Sequence, residues 1–117
     1  MKTLFILNDP PYGTERGYNA LRLASALVKT SPETEVTVFL MADAVLCAKK
    51  GQKTPDGYYN IERMLGVVLR GKGRVLLCGT CLTARGIADA ELVEGSQRST
   101  MDELAAATLT AERVLVF

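Results

Sequence analysis

The sequence predicts an α/β fold built on a mostly parallel sheet of four or five strands, with helices on both faces. Three observations carry this reading. Apolar runs such as Leu4-Phe5-Ile6-Leu7 and Val75-Leu76-Leu77 are short and lack polar alternation, as strands covered on both faces do. Segments with apolar residues at helical spacing separate those runs. Strand and helix alternate along all 117 residues, the pattern of parallel strands joined by crossover helices. That length suits one domain with a single core, residues 1-117.

In chain order, Thr3 to Leu7 is the first strand, and Pro10-Pro11-Tyr12-Gly13 is a loop, because two prolines extend neither strand nor helix interior. A helix is expected from about Thr14, with Ala20, Leu21, Ala24, Leu27 and Val28 inward, stopped by Ser31-Pro32-Glu33. Val36 to Met41 is a second strand, after which Asp43 can cap a short helix reaching about Lys50. Gly51 to Gly57 is a loop. Asn60 opens a third helix that buries Ile61, Met64, Leu65 and Val68 and ends near Gly71-Lys72-Gly73. Arg74 to Cys78 is the third strand, and Thr80 is placed to cap the helical turn after it. Leu92-Val93 is a candidate short strand. Thr100-Met101-Asp102-Glu103 fits a capping box for a helix to Thr110, and Val114 to Phe117 is the last strand.

Composition narrows the function. With 14 basic and 13 acidic side chains the chain lacks the concentrated positive charge that nucleic acids or anionic membranes require. Its first apolar run is too short for a signal peptide or a membrane span, so a cytoplasmic protein is expected. Three cysteines in a reducing compartment do not suggest a disulfide framework. The absence of histidine removes Ser-His-Asp and Cys-His catalysis and every His-containing metal site. No cofactor motif is present: Asn8 to Gly13 holds one glycine and two prolines, so it lacks the free amides of a phosphate-binding turn.

The chemically loaded motif is Cys78-Gly79-Thr80-Cys81, where a buried strand hands over to a helical turn. Free amides at such a place stabilise an anion, and a thiolate is one, so Cys78 is the candidate nucleophile. The plainer reading, a buried small hydrophobe, fits Cys47 better. Cys81 reads equally as a resolving partner or a core residue, Arg85 as a site charge or a solvated one, and Tyr12 as a crevice wall or a ring packed on its own loop. In a doubly wound sheet the crevice lies beyond the carboxyl ends of the strands. Asn8 to Gly13, Ala42-Asp43 and Cys78 to Gly86 would meet there. Zinc would need two more soft ligands than this pair supplies, and only Cys47 remains.

These residues carry a resemblance. Pro10-Pro11-Tyr12-Gly13, Asn19 to Ala24, Phe39 to Val45, Gly51-Gln52-Lys53, Gly57 to Ile61, Leu77 to Cys81 with Arg85-Gly86-Ile87, and Leu109 to Phe117 together resemble the DsrE/DsrF-like family, most closely its YchN-type branch. The resemblance implies a three-layer α/β/α fold, a homo-oligomer (hexamer or trimer), and sulfur handling with donor and acceptor proteins as partners. It implies that a cysteine matching Cys78 accepts sulfur as a persulfide. Cys81 matches a second cysteine of the YchN-type branch that relay members do not generally share, and a neighbouring thiol can attack a persulfide and release sulfide.

The leading expectation is a sulfur carrier or sulfurtransferase acting through Cys78, with helix amides and Arg85 stabilising the anion, Tyr12 and Asn8 lining the entrance, and Asp43 and Thr80 as further candidate binding residues. The alternatives are a dithiol redox protein cycling Cys78 and Cys81, and a non-catalytic oligomeric interaction module.

Overall fold

In the computed structural model, which covers residues 1–117, the apolar runs become β1 (Lys2–Leu7), β2 (Glu35–Leu40), β3 (Arg74–Cys78) and β5 (Arg113–Val116), joined by a short polar β4 (Gln97–Ser99). The helices are α1 (Arg16–Thr30), α2 (Ile61–Arg70), α3 (Gly79–Ala84) and α4 (Met101–Thr110). The strands form one sheet in the order β4-β3-β2-β1-β5, and every neighbouring pair is parallel. The fold is thus α/β with a five-stranded, wholly parallel sheet.

Topology follows from handedness. From β1 to β4 the chain steps one strand at a time in a single direction, and right-handed crossovers keep α1, α2 and α3 on one face. The return from β4 to β5 runs the other way, so α4 covers the opposite face. Accordingly α1 packs on α2, while α4 lies against β1. Leu7 points toward Gly17 of α1. With strict alternation, Phe5, Val38, Leu40, Val75 and Leu77 share Leu7's face, and Leu4, Phe39 and Leu76 share the α4 face. All of these side chains are at most 2% exposed. Each contributes about 1.5–3 kcal/mol of burial free energy, which is what fixes the register.

Two helix starts agree with their sequence signals. Asn60 accepts a hydrogen bond from the Arg63 amide at 3.0 Å, and Thr100 accepts one from the Glu103 amide at 3.1 Å. Other expectations are corrected. The first helix begins at Arg16, because the Thr14 hydroxyl bonds Asp9 at 3.2 Å and stays in the loop. Asp43 caps nothing: the 3-10 turn Ala42–Ala48 starts from an extended Met41 without a side-chain cap. Thr80 is not a cap either, since Cys78 holds the N-cap of α3. Leu92-Val93 is not a strand. Leu92 makes one antiparallel bridge to Lys49, and Gln97–Ser99 takes the free edge of β3 instead. As a three-residue edge strand, β4 needs no apolar run.

Candidate functional site

The site is built at the carboxyl end of β3. Cys78 ends the strand and caps α3, so its Sγ accepts the Cys81 amide at 3.4 Å and lies 3.1 Å from Thr80 Oγ1. Gly79 makes the tight handover possible. A Cβ there would stand 3.1 Å from the Ser99 carbonyl oxygen and 3.2 Å from Arg98 Cγ, so α3 starts pressed against β4. Arg98 fastens the same turn, donating to the Gly79 carbonyl at 2.9 Å and to the Thr83 hydroxyl at 3.3 Å.

Burial alone would raise the Cys78 thiol, but it is outweighed by hydrogen bonds from the Cys81 and Thr80 side chains and from their amides, so the thiol is held below the ordinary 9.0. Cys81 moves the other way. Burial raises it, and the Cys78 sulfur beside it raises it further; the Ala42 amide and the Arg85 charge offset only part of this. The two thiols are therefore shifted in opposite directions, Cys78 toward the thiolate and Cys81 toward the neutral thiol. Cys78 is only 6% exposed, and Cys81 is half-buried.

The loop after β2 supplies the second half of the site. Ala42 has φ +51°, a left-handed conformation unusual for a residue with a Cβ, and it donates its N–H to Cys81 Sγ at 3.2 Å. Next to it, Asp43 Oδ1 accepts Arg85 Nε at 2.9 Å and Nη2 at 2.8 Å. Arg85 also donates to the Cys81 carbonyl at 3.1 Å. Arg85 is thus a site charge, but it serves Cys81 and Asp43 rather than Cys78.

Cys78, Thr80, Cys81, Asp43 and Arg85 come together; Asn8 and Tyr12 do not join them. The Asn8 side chain donates to the Phe117 carbonyl at 3.3 Å, at the far edge strand of the sheet. The Tyr12 hydroxyl donates to Gln52 Oε1 at 2.6 Å and accepts the Ile61 amide at 3.3 Å. Its ring lines a separate open cleft of about 360 Å³ with Tyr18, Tyr59 and Ile61. Cys47 is fully buried, with its thiol pushed up to about 12, chiefly by burial and further by the Asp9 carboxylate. No three Cys, Asp or Glu side chains gather as metal ligands. Sequence reasoning did not single out Ala42 as a donor to Cys81, because a left-handed alanine leaves no mark in a sequence. It also passed over Ser99, which pairs with Cys78 across β3 and β4.

A parallel α/β/α sandwich with a paired-cysteine turn at a strand end defines the class, and comparison with known proteins agrees. The DsrE/DsrF-like family model matches residues 1–117. Protein YchN of Escherichia coli K12 is 41% identical over 116 residues, covering 99% of this chain and 98% of YchN. An uncharacterised protein of Methanocaldococcus jannaschii is 36% identical over the full length of both. The crystal structure of the E. coli YchN protein superposes with a TM-score of 0.94, covering 100% of this chain and 99% of that one. This chain belongs to the DsrE/DsrF-like family. A protein of unknown function from Methanobacterium thermoautotrophicum, at 14% identity and a TM-score of 0.75 over 99% of this chain and 98% of its own, shares the fold.

Proposed function

We propose that this chain is a cytoplasmic sulfur carrier of the sulfurtransferase kind, holding sulfane sulfur as a persulfide on Cys78. The Cys78 thiolate attacks the terminal sulfur of a donor persulfide. The new S–S bond to Cys78 forms as the donor's S–S bond breaks, and the donor leaves as its thiolate. Delivery is the same step run against an acceptor thiol. The observation that carries this reading is the hydrogen-bonded Cys78 sulfur, stabilised as an anion by Thr80 and by the Cys81 amide at the end of a buried strand. Membership of a family with sulfur-relay members supports it. The test is intact-mass measurement after incubation with a persulfide donor. The wild type should gain one sulfur atom, and a Cys78→Ser variant that gains the same mass removes Cys78 from the role.

A second reading, dithiol cycling between Cys78 and Cys81, draws on the direct bond from the Cys81 amide to the Cys78 sulfur. Mild oxidation separates the two. Dithiol cycling requires a reversible intramolecular disulfide with a defined reduction potential.

We further infer self-association through the α4 face. α4 buries only Leu104 and leaves Met101 at 59% and Leu109 at 86% exposure. On that face Val116 of β5 is 65% exposed. Exposed apolar side chains of this kind, on a chain whose net charge is only +1, are best covered by a second copy. Sedimentation of wild type against Leu109→Glu tests it: a monomeric wild type refutes the idea. No helix in the chain is long and apolar enough to cross a membrane.

A further inference from the structure

A buried hydroxyl with nothing to bond stands beside Cys78. Ser99 is 3% exposed, and its Oγ has no hydrogen-bond partner. Such a group costs the folded protein its desolvation with no return, and native structures keep few of them. Two other hydroxyls share this condition, Thr3 at the opposite end of the sheet and Thr54 in the loop before α2. Ser99 alone of the three is the ladder partner of a cysteine.

The geometry is specific. The parallel register sets Ser99 opposite Cys78, and residues paired in this way project from the same face of the sheet, here the α4 face. Adjacent strands lie about 4.8 Å apart. The resting Cys78 sulfur is committed to Thr80 and to the Cys81 amide and makes no bond to Ser99. A second sulfur on Cys78 extends the side chain by roughly 2 Å, the length of an S–S bond. Against a strand spacing of about 4.8 Å, an extension of that size is comparable to the gap between the side chains of two paired residues. The Ser99 carbonyl closely approaches Gly79, and Arg98 ties β4 to the same turn through the Gly79 carbonyl at 2.9 Å.

We propose that Ser99 is the acceptor site's own hydrogen-bond donor: when Cys78 carries a sulfane sulfur, Ser99 Oγ–H donates to that added atom. The hydroxyl is unbonded at rest because its partner arrives with the cargo. This rests on the persulfide reading above and deepens it, giving the site an occupant of fixed chemistry, a single terminal persulfide sulfur. No further electron or atom transfer is involved: the donor's sulfur moves to Cys78, the donor leaves as a thiolate, and Ser99 keeps its proton while sharing it.

The experiment equilibrates the protein with glutathione persulfide in a Cys81→Ser background, so that no neighbouring thiol discharges the product, and reads the loaded fraction by intact mass. Replacing Ser99→Ala should lower the loading equilibrium constant on the order of tenfold, the worth of one hydrogen bond to a charged group. The pH midpoint for alkylation of resting Cys78 should stay where it is, because Ser99 does not touch the resting sulfur. The unloaded Ser99→Ala protein should melt no lower than its parent, since an unpaired buried hydroxyl has been removed. Equal loading with and without Ser99 overturns the proposal, as does an alkylation midpoint that moves while loading does not. If the parent takes up no sulfur on Cys78 at all, the carrier reading fails and this proposal fails with it.

Discussion

Thr80 Oγ1 lies 3.1 Å from Cys78 Sγ, and two residues along the chain are enough to bring a hydroxyl and a sulfur together because Cys78 ends a strand and caps the helix whose first turn holds Thr80. The hydroxyl can donate to a thiolate but gains little from a neutral thiol, so it favours the anion. Replacing Thr80→Val should therefore raise the pH midpoint of Cys78 alkylation. At pH 7 the reaction slows; well above the midpoint, where both proteins are fully ionised, the rates converge. A Thr80→Ser variant keeps the wild-type profile. Iodoacetamide kinetics against pH, in a Cys81→Ser background common to all three proteins, make the measurement.

The Asp43–Arg85 pair acts on the other sulfur. Asp43 is 56% and Arg85 30% exposed, so solvent screens the pair and its contribution to stability is below about 1 kcal/mol. Its effect on reactivity is expected to be larger than its effect on folding. Arg85 lowers Cys81 against the opposing burial and the Cys78 sulfur. Arg85→Met should thus shift the pH midpoint of Cys81 reactivity upward while leaving the urea midpoint of unfolding nearly unchanged. Selective labelling of Cys81 in a Cys78→Ser background isolates the first effect, and denaturant titration the second. A large loss of stability with no shift in labelling would contradict this division of roles.

Much of the fold was legible because burial writes a strong pattern. Leu4 to Leu7, Val36 to Leu40 and Val75 to Leu77 are apolar runs that only a doubly covered sheet accommodates, and Asn60 and Thr100 mark their helix starts. The centre of the site, Cys78 with Thr80 and Cys81, was legible for a similar reason: the residues are adjacent in sequence. What was hidden depends on contacts across the chain. β4 is Gln97-Arg98-Ser99, an edge strand with polar composition, so neither it nor the pairing of Ser99 with Cys78 has a signature. Arg85 sits seven residues after Cys78 and looked able to face it, but α3 ends at Ala84 and the guanidinium turns toward Asp43. Tyr12 belongs to the neighbouring loop, yet Gln52 draws its hydroxyl to a different cleft.

Cys47 gives a stability prediction with a definite sign. Its folded thiol titrates at about 12, against an ordinary 9.0, chiefly because of burial. Between those values the unfolded chain loses the proton and the folded chain keeps it. Ionisation then favours unfolding, so stability falls as pH rises through the window from 9 to 12. The slope approaches about 1.4 kcal/mol per pH unit. The test is a difference between two proteins, which cancels any pH dependence common to both. Urea unfolding of wild type and Cys47→Ala should diverge with increasing pH, the variant losing less. At pH 7 the order reverses, because deleting the buried sulfur leaves a small cavity. Parallel pH curves would mean that the thiol is not held protonated.

Ala42 offers the sharpest separation of backbone strain from site chemistry. Its φ of +51° places the amide on the Cys81 sulfur at 3.2 Å, and a left-handed residue with a Cβ costs roughly 1–2 kcal/mol. Glycine adopts this conformation freely but loses more chain entropy on folding, so Ala42→Gly should change stability by less than about 1 kcal/mol in either direction. The N–H remains, and Cys81 should keep its labelling profile. Ala42→Val retains the amide as well, yet its branched side chain opposes a positive φ and should destabilise the fold by about 1–3 kcal/mol. If the turn relaxes to relieve that strain, the amide leaves the sulfur. Cys81 then loses a contribution that lowers it, and its labelling midpoint moves up. A valine variant as stable as wild type with Cys81 unchanged would show that the left-handed alanine is not what positions this amide.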